Sequence, residues 1–256
     1  MRIPQILPLS LTFIFIMGSA VIANDPGDLL RPAEMESLDV SNFPMMSSPD
    51  DLGFKLLVPA AIEEDLFIHQ NDGFRKIQPM PESLSVTHYY SGPSPLTFFR
   101  EGVDEEGQIV YLPVGSVEFS SGVRDAIVYL QNRGQQYGAL LVDLSLRAQR
   151  LGSVRFINLT PANLIVLLNE DRSSLAPGEA MVTRLGTEQK TYFRFRVGAM
   201  YEDKARVIFS NRYPFRGEMR ILFIGYATGG RTAGESPFRV VSHRDRGPDV
   251  RPESVP

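Results

Sequence analysis

The sequence predicts an all-β chain: two tandem antiparallel β-sandwich (immunoglobulin-like) domains from an internal duplication. Three observations predict it. Short apolar runs bounded by Gly, Pro, Asn or Asp recur about every 8–14 residues, the rhythm of sandwich strands rather than of βαβ units. The run Tyr192-Phe193-Arg194-Phe195-Arg196-Val197 alternates cleanly, with Phe193, Phe195 and Val197 on one face and Tyr192, Arg194 and Arg196 on the other. The second half echoes the first at an offset that drifts from about 99 to about 95 residues, as small loop deletions within a repeat produce.

Residues 1–23 have one cation (Arg2), an apolar run and small residues at Val21 and Ala23 before Asn24. That pattern reads as a secretory signal peptide, with Pro8 inside the run and no basic flank after it. Residues 24–51 are acidic, with Pro, Ser and Met and no periodicity, and read as a disordered leader. Repeat 1 is placed at 52–143, with strands expected at Phe54–Val58, Leu66–His69, Ser85–Tyr90, Leu96–Phe99, Ile109–Val114, Ala126–Leu130 and Ala139–Val142. A linker follows at 144–151, where Asp143–Arg150 is the one helix candidate of note. Repeat 2 is placed at 152–243, with strands at Val154–Leu159, Leu164–Leu168, Met181–Leu185, Thr191–Val197, Arg206–Phe209, Met219–Tyr226 and Phe238–His243. Residues 244–256 contain three Pro and read as a disordered tail.

The duplication rests on paired landmarks. Leu52-Gly53 matches Leu151-Gly152, and Leu66–Ile68 matches Leu164–Val166. Asn71-Asp72 matches Asn169-Glu170, and Ile77-Gln78-Pro79 matches Leu175-Ala176-Pro177. Val86-Thr87 matches Val182-Thr183, Phe99-Arg100 matches Phe195-Arg196, and Gly122 matches Gly217.

The segment Arg155-Phe156-Ile157-Asn158-Leu159-Thr160-Pro161, followed by Leu175-Ala176-Pro177-Gly178, resembles an RF[VI]N[LM][ST]-P … L-x-P-G signature. That signature belongs to uncharacterised exported bacterial tandem β-sandwich proteins of unknown function. The resemblance implies the sandwich fold and export, and it brings no catalytic residues with it.

Composition narrows the function classes. The 256 residues contain no Cys and no Trp, which removes disulfide scaffolds, thiolate catalysis and Cys-based zinc sites. The three His (His69, His88, His243) fall in separate strands, so a metal site is not expected. No G-x-S-x-G elbow or phosphate loop occurs. Asp104-Glu105-Glu106-Gly107 reads as a solvated hairpin tip rather than a calcium loop, and Tyr89-Tyr90 and Tyr192 as sheet residues. Asn158-Leu159-Thr160 is formally a glycosylation sequon.

Charge carries the sharper clue. The net charge of −4 combines Arg2 in the signal with residues 24–151, which hold 9 basic and 19 acidic side chains, and residues 152–256, which hold 16 and 11. Opposite fields of this kind either draw the halves together or orient an anionic partner on the second half. Arg194, Arg196, Arg216 and Arg220 are the expected binding residues on a basic face of repeat 2, and Arg206 and Arg212 are further candidates for that face. The expectation is a non-catalytic, exported protein, periplasmic or extracellular, that needs no cofactor. Its partner is another envelope protein or a surface polymer; nucleic acid is not expected, nor is integral membrane residence after signal cleavage. The alternatives are a periplasmic assembly chaperone working by β-augmentation, and a carbohydrate-binding module.

Overall fold

Sixteen strands and no helix organise the residues that this computed structural model describes, namely 51–185, 191–201, 204–228 and 236–246. The signal, all but the last residue of the leader, and residues 247–256 of the tail lie outside them. No helix among the described residues is long and apolar enough to cross a membrane.

Repeat 1 consists of β1 (Leu52–Leu57), β2 (Leu66–Gln70), β3 (Gly73–Ile77), β4 (His88–Tyr90), β5 (Leu96–Val103), β6 (Ile109–Val117), β7 (Asp125–Asn132) and β8 (Tyr137–Asp143). Repeat 2 consists of β9 (Ser153–Leu159), β10 (Leu164–Leu168), β11 (Asp171–Leu175), β12 (Ala180–Arg184), β13 (Thr191–Tyr201), β14 (Lys204–Phe215), β15 (Met219–Ala227) and β16 (Phe238–Arg246). In each repeat two four-stranded sheets face one another. Their orders are β3-β2-β5-β6 and β4-β1-β7-β8 in the first, β11-β10-β13-β14 and β12-β9-β15-β16 in the second. The second set is the first advanced by eight strands, so the duplication extends to every pairing.

Two details refine the expected architecture. Pairing is antiparallel except for β1 with β7 and β9 with β15, one parallel pair per repeat. Both copies carry a β-bulge at the same place, between Phe98/Phe99 on β5 and between Val197/Gly198 on β13. Structurally, Phe98 therefore matches Val197, and both are fully buried. The match of Phe99 with Phe195 expected from sequence is out of phase, because Phe195 is buried in the core and Phe99 lies on the other face of β5.

Each sandwich has its own core, centred on Phe54, Ile68, Phe98 and Val128 in repeat 1 and on Phe156, Val166, Phe195 and Phe223 in repeat 2. A third apolar layer joins them. Leu57, Ile127, Tyr129 and Val142 on the outer face of the β4-β1-β7-β8 sheet meet Ile157, Leu222, Ile224 and Tyr226 of the β12-β9-β15-β16 sheet. The molecule is thus a stack of four sheets. Its middle strands are buried on both faces, which is why β7 (AIVYL) and β15 (ILFIGY) read as unbroken apolar runs. Each buried side chain in the joint contributes roughly 1.5–3 kcal/mol. Polar contacts between the repeats are few among the described residues: the Tyr226 hydroxyl donates to the Glu82 carbonyl at 2.9 Å, the Arg155 guanidinium to the Asp143 carbonyl at 3.1 Å, and Arg239 stands 3.8 Å from the Glu82 carboxylate. Apolar burial, more than attraction between acidic and basic halves, holds the repeats together.

The expected helix at Asp143–Arg150 is a turn. Eight residues are too few to offset helix nucleation without tertiary help. Here the Asp143 carboxylate accepts from the Ser145 amide (2.7 Å), and Gln149 closes a single turn onto the Ser145 carbonyl (3.0 Å). The buried Gln149 amide then donates to the Ser153 and Ile221 carbonyls, pulling the connection against β15. At the far end β16 continues to Arg246, three residues past the boundary expected for repeat 2.

Because β7 runs parallel to β1 and β8 returns antiparallel, β8 ends at the same end of the sheet as the start of β1, with β7 between them. The same holds for β16 and β9.

The Asn158 motif is structural. Asn158 is wholly buried, and its amide donates to the carbonyls of Ala162 (2.8 Å), Leu175 (3.0 Å) and Ala176 (3.1 Å). Its side-chain oxygen accepts from the Thr160 amide (3.0 Å) and hydroxyl (2.7 Å). Its backbone is gripped as well: Gly178 donates to the Asn158 carbonyl at 2.7 Å, with Gly178 in the left-handed region at φ 80°. The spacing between Asn-x-Thr and Leu-x-Pro-Gly is therefore the spacing of a strand end and the loop it ties down.

Candidate functional site

Strand alternation settles which arginines share a surface. Phe193, Phe195 and Val197 point into the repeat 2 core, so Tyr192, Arg194 and Arg196 stand on the solvent face of the outermost sheet. This face lies on the far side of repeat 2 from repeat 1. Arg212 of β14 is directly opposite Arg194, and its guanidinium lies 4.5 Å from the Tyr192 ring centroid. Arg196 pairs with Leu167 of β10, which in turn pairs with Arg172 of β11. Adjacent strands are about 4.8 Å apart and alternate residues about 6.8 Å along a strand. Arg172, Arg194, Arg196 and Arg212 therefore form a flat array of four cations. Among the described residues, none of them makes an ion pair with a carboxylate. Half-buried Ile165 and Leu167 fill the ground between, and Val207 is exposed at its end.

Two of the expected residues are elsewhere. Arg216 lies in the turn after β14, 3.8 Å from Glu218. Arg220 is not a surface residue at all, being 9% exposed at the start of β15 on the face turned toward repeat 1. It donates to the Asp245 carboxylate from Nε (2.8 Å) and Nη2 (2.5 Å), and from Nη1 to the Gln149 carbonyl (2.9 Å). A cation placed next to Ile221–Tyr226 was bound to be half enclosed, because β15 is buried on both faces. Arg206 pairs with Ala199, whose side chain is buried, and so sits across the sheet from Arg194 and Arg196.

Around Arg220 a cavity of about 200 Å³ opens between the repeats, lined also by Lys55, Thr87, Asp125, His243 and Asp245. His243 faces into it from β16. Burial and the Lys55 ammonium push its imidazole down to about 4, against the opposing pull of Asp245. The ring is therefore neutral across the physiological range and acts there as a polar packing group. His88 is likewise lowered, first by burial, and its Nε2 is buried without a partner among the described residues.

The other sequence candidates resolve locally. The Asp104 carboxylate accepts from the backbone amides of Glu106 (3.0 Å) and Gln108 (2.8 Å), organising its own hairpin tip. Tyr90 is a core residue whose hydroxyl donates to the Pro93 carbonyl at 2.8 Å. Arg172 was missed because its strand was missed; the hairpin signal Asn169-Glu170, followed after five residues by the core residue Leu175, would have found both.

No family model matches the chain, and no curated protein matches it. Among solved structures it is similar to a "putative cell adhesion protein" from Bacteroides eggerthii DSM 20697. The identity is 9%, the match covers 80% of this chain and 98% of that one, and the TM-score is 0.20. A superposition at that level adds nothing to the strand pairing and surface chemistry described above.

Proposed function

We propose that the chain is a non-catalytic exported binding protein, acting in the periplasm or outside the cell, whose outermost repeat 2 face takes an anionic surface polymer. One observation carries this reading: Arg172, Arg194, Arg196 and Arg212 stand together on a solvent-facing sheet with no carboxylate partner among the described residues, and Arg194 faces Arg212 directly. Like charges directly opposite on a sheet are destabilising. An array that works against its own fold is explained by a ligand that neutralises it. The face is flat, which suits an extended chain of repeating charge better than a small molecule. Tyr192, with Arg212 lying on its ring, adds a stacking surface for a sugar unit. Export is supported by the pattern of residues 1–23.

The test is retention on immobilised heparin and polygalacturonate at low and rising salt, for the full chain and for the double variant Arg194→Glu/Arg196→Glu. Retention that weakens with salt and falls at least about tenfold in the variant supports the reading. A chain that passes through at low salt, or a variant retained as well as the native chain, refutes it. Capture by an acidic protein in place of both polymers would reassign the face to an envelope-protein partner.

A further inference from the structure

At the opposite extreme of the stack, the outer face of the β3-β2-β5-β6 sheet carries an aromatic cluster that strand counting alone does not reveal. Leu66 and Ile68 point into the core, so Phe67 and His69 point outward, together with Phe74 of β3, Phe99 of β5 and Tyr111 of β6. Phe74 stacks on Tyr111 with ring centroids 3.8 Å apart and meets His69 and Phe99 edge to face at 4.9 and 5.1 Å. On this outer face the rings cover one another: Tyr111 and Phe67 are buried beneath Phe74 and its neighbours, Phe74 and Phe99 are half-buried, and His69 is exposed at the margin.

At that margin lies a cavity of about 170 Å³. Phe99 and His69 line it, and the Gly92-Pro93 segment supplies a wall. That wall is built rather than incidental: the Tyr90 hydroxyl fixes it through the Pro93 carbonyl, and a Cβ at Gly92 would overlap the Tyr90 hydroxyl. Along the lining, the Asn71 amide, the Thr97 hydroxyl and the His69 ring nitrogens have no hydrogen-bond partner among the described residues. No Asp, Glu, Lys or Arg lines the cavity.

We infer that this cavity is a binding site for a neutral saccharide, one ring of which stacks on Phe99 and His69 while its hydroxyls meet Asn71 and Thr97. The chemistry selects the ligand. A sugar ring offers a C–H face for an aromatic surface and an equatorial rim of hydroxyls for amide and hydroxyl groups, and the uncharged lining admits no charged group to pair with. The cavity has room for one ring. The site shares with the preceding reading only the premise of a binding protein; its residues and its ligand are different.

The experiment is binding of the full chain to immobilised neutral glucan, mannan and galactan, compared for native protein, Phe99→Ala, Asn71→Ala and Arg194→Glu/Arg196→Glu. Retention by at least one glycan that falls about tenfold in both Phe99→Ala and Asn71→Ala, and persists in the arginine variant, is the expected result. Asn71 is exposed in a turn, so its variant reports on the site even where Phe99→Ala loosens the sheet. No retention by any of the three glycans overturns the inference, as does retention that Asn71→Ala leaves unchanged. Loss in the arginine variant alone would place glycan binding on the other face and overturn it too.

Discussion

Replacing Asn158 is the most direct test of how repeat 2 is held together. Its side chain makes five hydrogen bonds, three donated to carbonyls and two accepted from Thr160, at a site with no solvent exposure. Two of the three carbonyls keep a second donor: Thr160 Oγ1 still reaches the Ala162 carbonyl (3.1 Å), and the Glu179 amide still reaches that of Ala176 (3.1 Å). Each lost bond therefore costs nearer about 0.5–1 kcal/mol than the full desolvation penalty, and Asn158→Ala should destabilise by about 3–4 kcal/mol. Asn158→Asp has the same shape but turns an oxygen toward three carbonyl oxygens. It should be at least as damaging at about pH 7, and its carboxyl should titrate above the usual value near 3.9 in the folded state. A raised folded value means the folded state binds more protons than the unfolded one above about pH 4, so the gap between Asp and Ala variants narrows as pH falls. Urea unfolding of both variants by circular dichroism at several pH values is the assay. An Ala variant within about 1 kcal/mol of native, or an Asp variant more stable than Ala near neutrality, would refute the hydrogen-bond account.

Three further outcomes are expected. His88 and His243 both titrate below their unfolded value near 6.5, so the unfolded chain binds more protons and stability falls as pH drops from about 6.5 toward 4; His243→Gln should flatten part of that slope in thermal melts at stepped pH. Arg212→Glu converts the Arg194–Arg212 cross-strand pair from like to opposite charge, and should raise stability by about 0.2–1 kcal/mol while weakening retention on heparin, as read by melting and chromatography. Repeat 2 produced alone, as residues 152–246, bares Leu222, Ile224 and Tyr226 and should self-associate in light scattering, whereas Leu222→Lys/Ile224→Lys in that fragment should restore a monomer.

Most strands were legible because each carries an alternating or continuous apolar run. The two that were not, β3 and β11, are equivalent members of the duplication. Their sequences, GFRKI and DRSSL, each commit one residue to the core, Ile77 and Leu175. Edge strands of this kind are fixed by the hairpins before them, where Gly73 (φ 119°) and Asn169 (φ 56°) take left-handed conformations, rather than by their own hydrophobicity. The phase error at Phe99 has a similar origin. A bulge shifts which residue faces inward, and identity of two letters cannot report a bulge. Of the basic face, Arg194 and Arg196 were legible from alternation within one strand. Arg220 was misplaced because its exposure depends on a second domain packing over β15, and no periodicity within repeat 2 signals that. The aromatic cluster around Phe74 was hidden for the same reason as β3 itself.

The arrangement of strand ends has a mechanical consequence. The start of β1, the end of β8, the start of β9 and the end of β16 lie at one end of the stack, and β16 is an edge strand. Tension applied between Leu52 and Arg246 would not shear a sheet along its length, with many hydrogen bonds resisting at once. It would peel β16 away from β15 in succession, beginning at the Met219–Arg246 and Arg220–Asp245 pairs. Pulled between Leu52 and Arg246, the stack is a weak link. Pressed through its two outer faces, it bears the load across three apolar layers, and no strand is asked to unzip.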